Sequence, residues 1–268
     1  MMSSVTLPLS IRRALLGVAA VVIAAAPLSA QPESPPRVVP STVLKAAFQT
    51  TVGAIEGVGT GFFLQAPGRG TVFVTALHVF GPPAGLAEWI PSTALPEIVE
   101  SGVLDDAFTQ RRVGRVLRAI STPEASLPTA EGGRAGLDFA VFQIADSSRD
   151  GFLPAEGSDP VLWIVSPGLP DGVPLRVGRV AGPSHFVSVA IPDALILPIG
   201  ISGSPIVTAA GEVVALVTML GEGPDGERVI HATPIETVMG ALGTTESRGA
   251  SAPLEESLRG PSPRQAPS

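Results

Sequence analysis

The sequence predicts an all-β protein, built as a sandwich or as a pair of barrels. Three observations point there. Short runs rich in Val, Ile, Phe and Thr recur through the middle of the chain, and Gly, Pro or Asp breaks each one before it reaches helical length. These runs number about a dozen, the count expected of such folds. Long helical patterns do not alternate with them, which sets aside a parallel α/β sheet.

Taken in order, the chain opens on a targeting segment. Arg12-Arg13 precede the apolar run 14–26 and the small-residue end Pro27-Leu28-Ser29-Ala30. This is the layout of a secretory signal peptide over 1–30. The run is short for a membrane span, which needs about 20 residues, although an uncleaved anchor is the alternative. The protein is therefore expected to be exported, periplasmic or secreted. Residues 31–40 are rich in Pro and polar residues and read as a linker. The compact domain is expected over 41–243 and a disordered tail over 244–268.

Within the domain, strands are predicted at Ala46–Ile55, Gly59–Gln65, Thr71–Thr75, Arg111–Ile120, Phe139–Ile144 and Val161–Val165. Further strands are predicted at Leu175–Val180, Phe186–Ile191, Ala194–Ile199, Ile206–Val207, Val213–Met219 and Arg228–Ala232. Pro82–Asp106 reads as a long loop with a helical turn. Pro234–Leu242 reads as a helix with proline near its start.

Composition narrows the function. A formal net charge of −7 argues against nucleic acid or an anionic membrane surface as partner. The chain has no cysteine, so it must be held by its core, and thiol nucleophiles and cysteine-ligated metals are excluded.

The chemistry centres on one turn. In Gly200-Ile201-Ser202-Gly203-Ser204-Pro205 a serine lies between glycines that open unusual backbone conformations. Such a turn can expose a hydroxyl and point successive N–H groups at one spot, as a nucleophile with an oxyanion hole requires. Upstream, the strand Thr71–Thr75 ends in Ala76-Leu77-His78 and delivers an imidazole at its edge. Asp138 follows a glycine-rich stretch and heads the apolar run Phe139-Ala140-Val141-Phe142. A carboxylate buried there needs a partner, and a histidine N–H is a natural one. His185 and His231 have no acid or nucleophile motif beside them and read as ordinary histidines.

These stretches resemble trypsin-like serine proteases. Thr75-Ala76-Leu77-His78 is similar to their histidine motif, Asp138-Phe139-Ala140-Val141 to their aspartate motif, and Gly200–Pro205 to their serine motif. Gly59-Thr60-Gly61-Phe62 is similar to the strand before the histidine in bacterial members, and Arg228–Pro234 to the last strand entering the C-terminal helix. Each motif alone is weak. Their shared order, with about 60 residues from each catalytic type to the next, makes the signal strong. The resemblance is to the exported Deg/HtrA type without its C-terminal peptide-binding (PDZ) module.

The resemblance implies two six-stranded antiparallel barrels, one over about 41–145 and one over about 160–233, with the site between them. It implies a serine endopeptidase acting on a protein or peptide substrate, with His78, Asp138 and Ser202 as catalytic residues and no metal or cofactor. The N–H groups of Gly200 and Ser202 would form the oxyanion hole. Ile196 would floor the substrate pocket and Thr218, Met219 and Leu220 would form its wall, favouring small or medium apolar P1 residues. Ile201 stands where animal enzymes have the aspartate that pairs with a new N-terminus, so activation by that route is not expected.

Other readings fit less well. An α/β-hydrolase needs G-x-S-x-G and the order Ser, Asp, His. Gly57-Val58-Gly59-Thr60-Gly61-Phe62 lacks the third glycine and the βαβ unit of a dinucleotide site. A metal hydrolase would bring its histidines closer together. The serious alternative is a protease fold that has lost activity and binds other proteins.

Overall fold

The computed structural model describes residues 34–37, 41–127, 137–155 and 159–249. The expected signal peptide, most of the linker and the tail beyond Gly249 lie outside the described residues. The remainder carries twelve strands in two closed antiparallel barrels.

The first barrel holds β1 (Val43–Thr50), β2 (Gly53–Ala66), β3 (Gly70–Thr75), β4 (Val99–Asp106), β5 (Arg112–Ile120) and β6 (Ala140–Ile144). Its strands run β1-β2-β3-β6-β5-β4 around the barrel, and β4 closes on β1. The second holds β7 (Val161–Ile164), β8 (Leu175–Arg179), β9 (Val187–Ala190), β10 (Pro205–Val207), β11 (Val213–Glu222) and β12 (Arg228–Pro234), in the order β10-β11-β12-β9-β8-β7. Closure leaves no sheet edge to template pairing with another chain.

The cores differ in chemistry. Phenylalanine fills the first barrel: the ring of Phe48 lies 5.0 Å from those of Phe80 and Phe142 and 6.4 Å from that of Phe73. Leu162, Ile164, Val189, Ile206, Ala215 and Ile230 fill the second. Aromatic rings bring large buried area and preferred tilted contacts to the first core. β3 buries every residue from Thr71 to Thr75, as a strand covered on both faces must.

Two segments join the barrels. The stretch around Phe152 pairs in parallel with β2 at Leu64 and, two residues on, with β11 at Val213. Helix α2 (Ile235–Gly249; α1 is the single turn Leu95–Ile98) leaves β12 and packs back on the first barrel's cluster through Ile235, Val238, Ala241 and Leu242. Arg69 on the β2–β3 turn donates to the Leu242 carbonyl at 3.0 Å.

The fold departs from the sequence expectation at four places. The run read as one strand over Ala46–Ile55 is a hairpin, turned at Thr51-Val52 and closed by the Thr50 hydroxyl on the Gly53 carbonyl. Pro82–Asp106 contains a barrel strand, β4, whose register keeps polar Glu100 and Ser101 outside and sets Gly102 against the Phe48 ring. Ala194–Ile199 is not a strand. Pro192 and Pro198 supply no ladder N–H and open consecutive turns, with Leu195 N–H on the Pro192 carbonyl and Ile201 N–H on the Pro198 carbonyl. Helix α2 continues to Gly249, into the stretch expected to be tail.

The β4–β5 hairpin depends on Asp106. Its Oδ1 accepts the N–H groups of Phe108 (2.9 Å) and Thr109 (2.7 Å), while Gln110 takes a left-handed φ of 58°. Burial pushes the carboxyl up, but hydrogen bonds from Thr109, Ser41 and Phe108 outweigh it and hold the group below its ordinary value. Asp106→Ala is expected to cost about 2 kcal/mol in urea unfolding at neutral pH. A folded value below the unfolded one adds stability that is complete above about pH 4 and lost as pH falls through the folded value. The wild-type and Asp106→Asn stability curves should therefore converge in acid.

Candidate active site

His78 sits on a single 3₁₀ turn, Leu77–Val79, that starts where β3 leaves the sheet. Leu77 and Val79 are buried on either side of it, so the turn is anchored and the imidazole is left partly exposed. Asp138 lies just ahead of β6, at 1% exposure, next to fully buried Phe139. β3 and β6 are hydrogen-bonded neighbours, which carries the two residues together across 60 positions of sequence. Asp138 Oδ1 accepts the His78 backbone N–H at 2.9 Å, and Oδ2 lies 2.6 Å from His78 Nδ1. A carboxylate oxygen only accepts, so this network assigns the ring proton to Nδ1 and leaves Nε2 as an acceptor.

Ser202 lies in the turn between Pro198 and β10. Gly200 takes φ 87° and Gly203 φ 82°. The Ile201 N–H donates to the Pro198 carbonyl at 3.3 Å, with glycine at the third turn position, as a type II turn demands. The Gly203 N–H donates to Val217 on β11 at 2.7 Å, and the Val217 N–H returns to the Ser204 carbonyl at 2.9 Å. Ser202 is half-buried, whereas Ser204 is wholly buried, so Ser202 carries the accessible hydroxyl. The N–H groups of Gly200 and Ser202 donate to nothing among the described residues. Ile201 packs into the second barrel's core.

The first barrel holds this turn from the other side. Thr60 on β2 donates its N–H to the Ser202 carbonyl at 2.8 Å and its hydroxyl to the Gly200 carbonyl at 2.7 Å. Thr75 on β3 donates its hydroxyl to the Thr60 carbonyl at 2.7 Å. Gly59 fits between Val79 and the Ser202 carbonyl: a Cβ there would lie 2.6 Å from Val79 Cγ1 and 3.4 Å from that oxygen. The serine turn and the histidine turn are thus neighbours across one glycine. No hydrogen bond joins the Ser202 hydroxyl to the His78 ring in this structure.

The other sequence-selected residues fare differently. Ile196, expected as a pocket floor, is 89% exposed on the surface turns of 192–201 and floors nothing. Thr218 is buried with its hydroxyl on the His231 carbonyl at 2.8 Å. Met219 is half-buried and Leu220 is exposed on the same strand. His231 bonds the Ser188 hydroxyl at 2.9 Å and stacks on Phe186, and burial, with His185 adding to it, lowers its pKa below the ordinary value. Neither His185 nor His231 joins the His78–Asp138 pair. Among the described residues no group of three or more His, Asp or Glu side chains is placed to hold a metal ion. Sequence reasoning missed Thr60 and Lys45, whose side chains meet the Gly200 carbonyl. A signal existed for Lys45, the chain's single lysine.

Two closed six-stranded barrels, with these turns where they meet, match the expected architecture. The fold is chymotrypsin-like.

No family model matches the chain, and no curated protein matches it in sequence. Among solved structures it is similar to a thermostable serine protease, AL20, from an extremophilic microorganism, at 11% identity, covering 77% of this chain and 97% of that one with a TM-score of 0.49. It is also similar to the MamO protease domain from Magnetospirillum magneticum, at 16% identity, covering 75% and 96% with a TM-score of 0.41. A third similar structure is the HtrA-type protease AlgW with a tripeptide, at 17% identity, covering 79% and 62% with a TM-score of 0.48.

Gly203 is the tightest point of the site. A Cβ there would lie 1.9 Å from the Thr60 carbonyl oxygen, at a backbone conformation that already disfavours side chains. Gly203→Ala is expected to destabilise the protein by more than about 2 kcal/mol in denaturant unfolding. Gly226→Ala, at φ 78° but with open space around it, should cost less.

Proposed function

We propose that the protein is a serine endopeptidase. The observation that carries this reading is the two-point grip of buried Asp138 on His78, together with a half-buried Ser202 whose own N–H and that of Gly200 donate to nothing among the described residues. Ser202 Oγ attacks the peptide carbonyl carbon while His78 Nε2 takes its proton. The negative oxygen of the tetrahedral intermediate lies against the N–H groups of Gly200 and Ser202. Collapse breaks the C–N bond, His78 gives its proton to the leaving amine, and an ester to Ser202 remains. Water, deprotonated by His78, then attacks that ester and releases the acid and the free serine. Asp138 keeps the ring in the tautomer that can accept a proton and stabilises the imidazolium.

The substrate is a protein or peptide, cut after small or medium apolar P1 residues. With Ile196 on the surface, the support for that preference is the apolar pair Met219 and Leu220 on β11. We also propose that the protein is exported, on the strength of the segment over 1–30.

A labelled fluorophosphonate should modify the wild type and leave Ser202→Ala unmodified. Asp138→Asn should lower kcat roughly 10⁴-fold with the fold intact, because the wrong tautomer is then presented. A peptide library should be cut after residues such as Val or Leu; efficient cleavage after Arg would refute the pocket reading. The second reading, a protein-binding module, is favoured by the missing Ser202–His78 hydrogen bond. It would be upheld by a folded wild type that neither hydrolyses peptides nor labels.

A further inference from the structure

The Gly200 carbonyl draws two donors from the first barrel. The Thr60 hydroxyl reaches it at 2.7 Å and the Lys45 ammonium at 3.4 Å. Lys45 on β1 and Thr60 on β2 are direct cross-strand partners, so both donors rise from one point of the barrel wall. Lys45 is partly buried and makes no ion pair among the described residues. On its far side β4 places Asp105, but that carboxylate engages Arg112. The cleft beside Lys45, about 830 Å³, is also lined by Asp106 and by Asp171 of the opposite barrel. Asp106 is occupied by the N–H groups of its own hairpin. Burial lowers the Lys45 pKa below the ordinary lysine value. The ammonium thus occupies an unfavourable place where, among the described residues, its one hydrogen bond ends on the serine turn.

On the peptidase reading, we propose that Thr60 and Lys45 are positioning residues: they clamp the Gly200 carbonyl from the opposite barrel and so set where the Gly200 N–H stands in the oxyanion hole. The peptide linking Gly200 to Ile201 is held at both ends, its carbonyl by the clamp and its N–H by Pro198. The Ile201 carbonyl accepts the Ser204 N–H, and the Ser202 carbonyl accepts the Thr60 N–H. Among the described residues the peptide between Ile199 and Gly200 makes no backbone hydrogen bond, yet it carries the N–H that the peptidase reading assigns to the oxyanion hole. Its position is inherited from the Gly200 α-carbon, and that atom is fixed by the clamp. Ile201 contributes apolar packing from the other side. A charged activation pair is replaced by a hydroxyl and an ammonium supplied ready-made by the neighbouring barrel.

Thr60→Val keeps the shape and the backbone N–H but removes the hydroxyl; Thr60→Ser restores it. Lys45→Met keeps the stem and removes the charge. Kinetics on a chromogenic peptide and hydrogen exchange of the peptide spanning 198–206 would be measured on all three in the full chain. The expected result is a kcat loss of about 10- to 100-fold in Thr60→Val and Lys45→Met, with KM within about twofold, and recovery in Thr60→Ser. Exchange at the hydrogen-bonded N–H groups of Ile201, Gly203 and Ser204 should quicken in the first two variants and return to the wild-type rate in Thr60→Ser. Wild-type kcat and wild-type exchange in both Thr60→Val and Lys45→Met would overturn the clamp. Quickened exchange in a protein whose wild type never labels with fluorophosphonate would keep the clamp and remove the peptidase reading.

Discussion

The two barrels meet backbone to backbone where Gly203 passes the Thr60 carbonyl. The seating of the serine turn on the first barrel follows from this close approach. Only a residue without Cβ allows it, and only at this distance can one threonine reach two carbonyls of the serine turn. The same threonine receives the hydroxyl of Thr75, the last residue of the strand that leads to His78. A single cross-section therefore runs from the histidine strand through Thr60 to the serine turn, linked by two threonine hydroxyls and one backbone N–H and by no long side chain. Such links lose little conformational freedom on forming, which is what a geometry held to a few tenths of an ångström requires.

Asp138 shows how burial and chemistry are joined. A carboxylate at this depth would be untenable without partners. His78 supplies two, one from its backbone and one from its ring, so the group that orients the imidazole is itself held by the residue it orients. The neighbouring core is the aromatic one, and its tilted Phe rings give β3 and β6 a rigid bed. The second barrel is lined by smaller aliphatic chains and carries the turn that must fit against the first.

The parts of this arrangement that were legible in sequence are those with local causes. A small-residue turn ending an apolar strand located His78. Glycines on both sides located Ser202. The cost of burying a carboxylate linked Asp138 to a histidine far away in the chain. β4 was illegible because its outward residues are polar and Gly102 faces the core, so its apolar content is low although the barrel cannot close without it. The stretch 194–199 misled for the opposite reason: it is apolar, yet Ile196 and Ile199 face solvent, since prolines bar the ladder. Thr60 and Lys45 left no periodic trace, because a side chain meeting a carbonyl in another barrel obeys no spacing rule.

The helix α2 gives the molecule a direction in time. The last described element of the chain supplies Ile235, Val238, Ala241 and Leu242 to the core of the barrel made first. During synthesis the first barrel must wait, with an apolar face uncovered, until the residues after β12 have emerged. A chain cut short before α2 would carry every residue of the proposed triad and still lack the four side chains that complete the core beneath them.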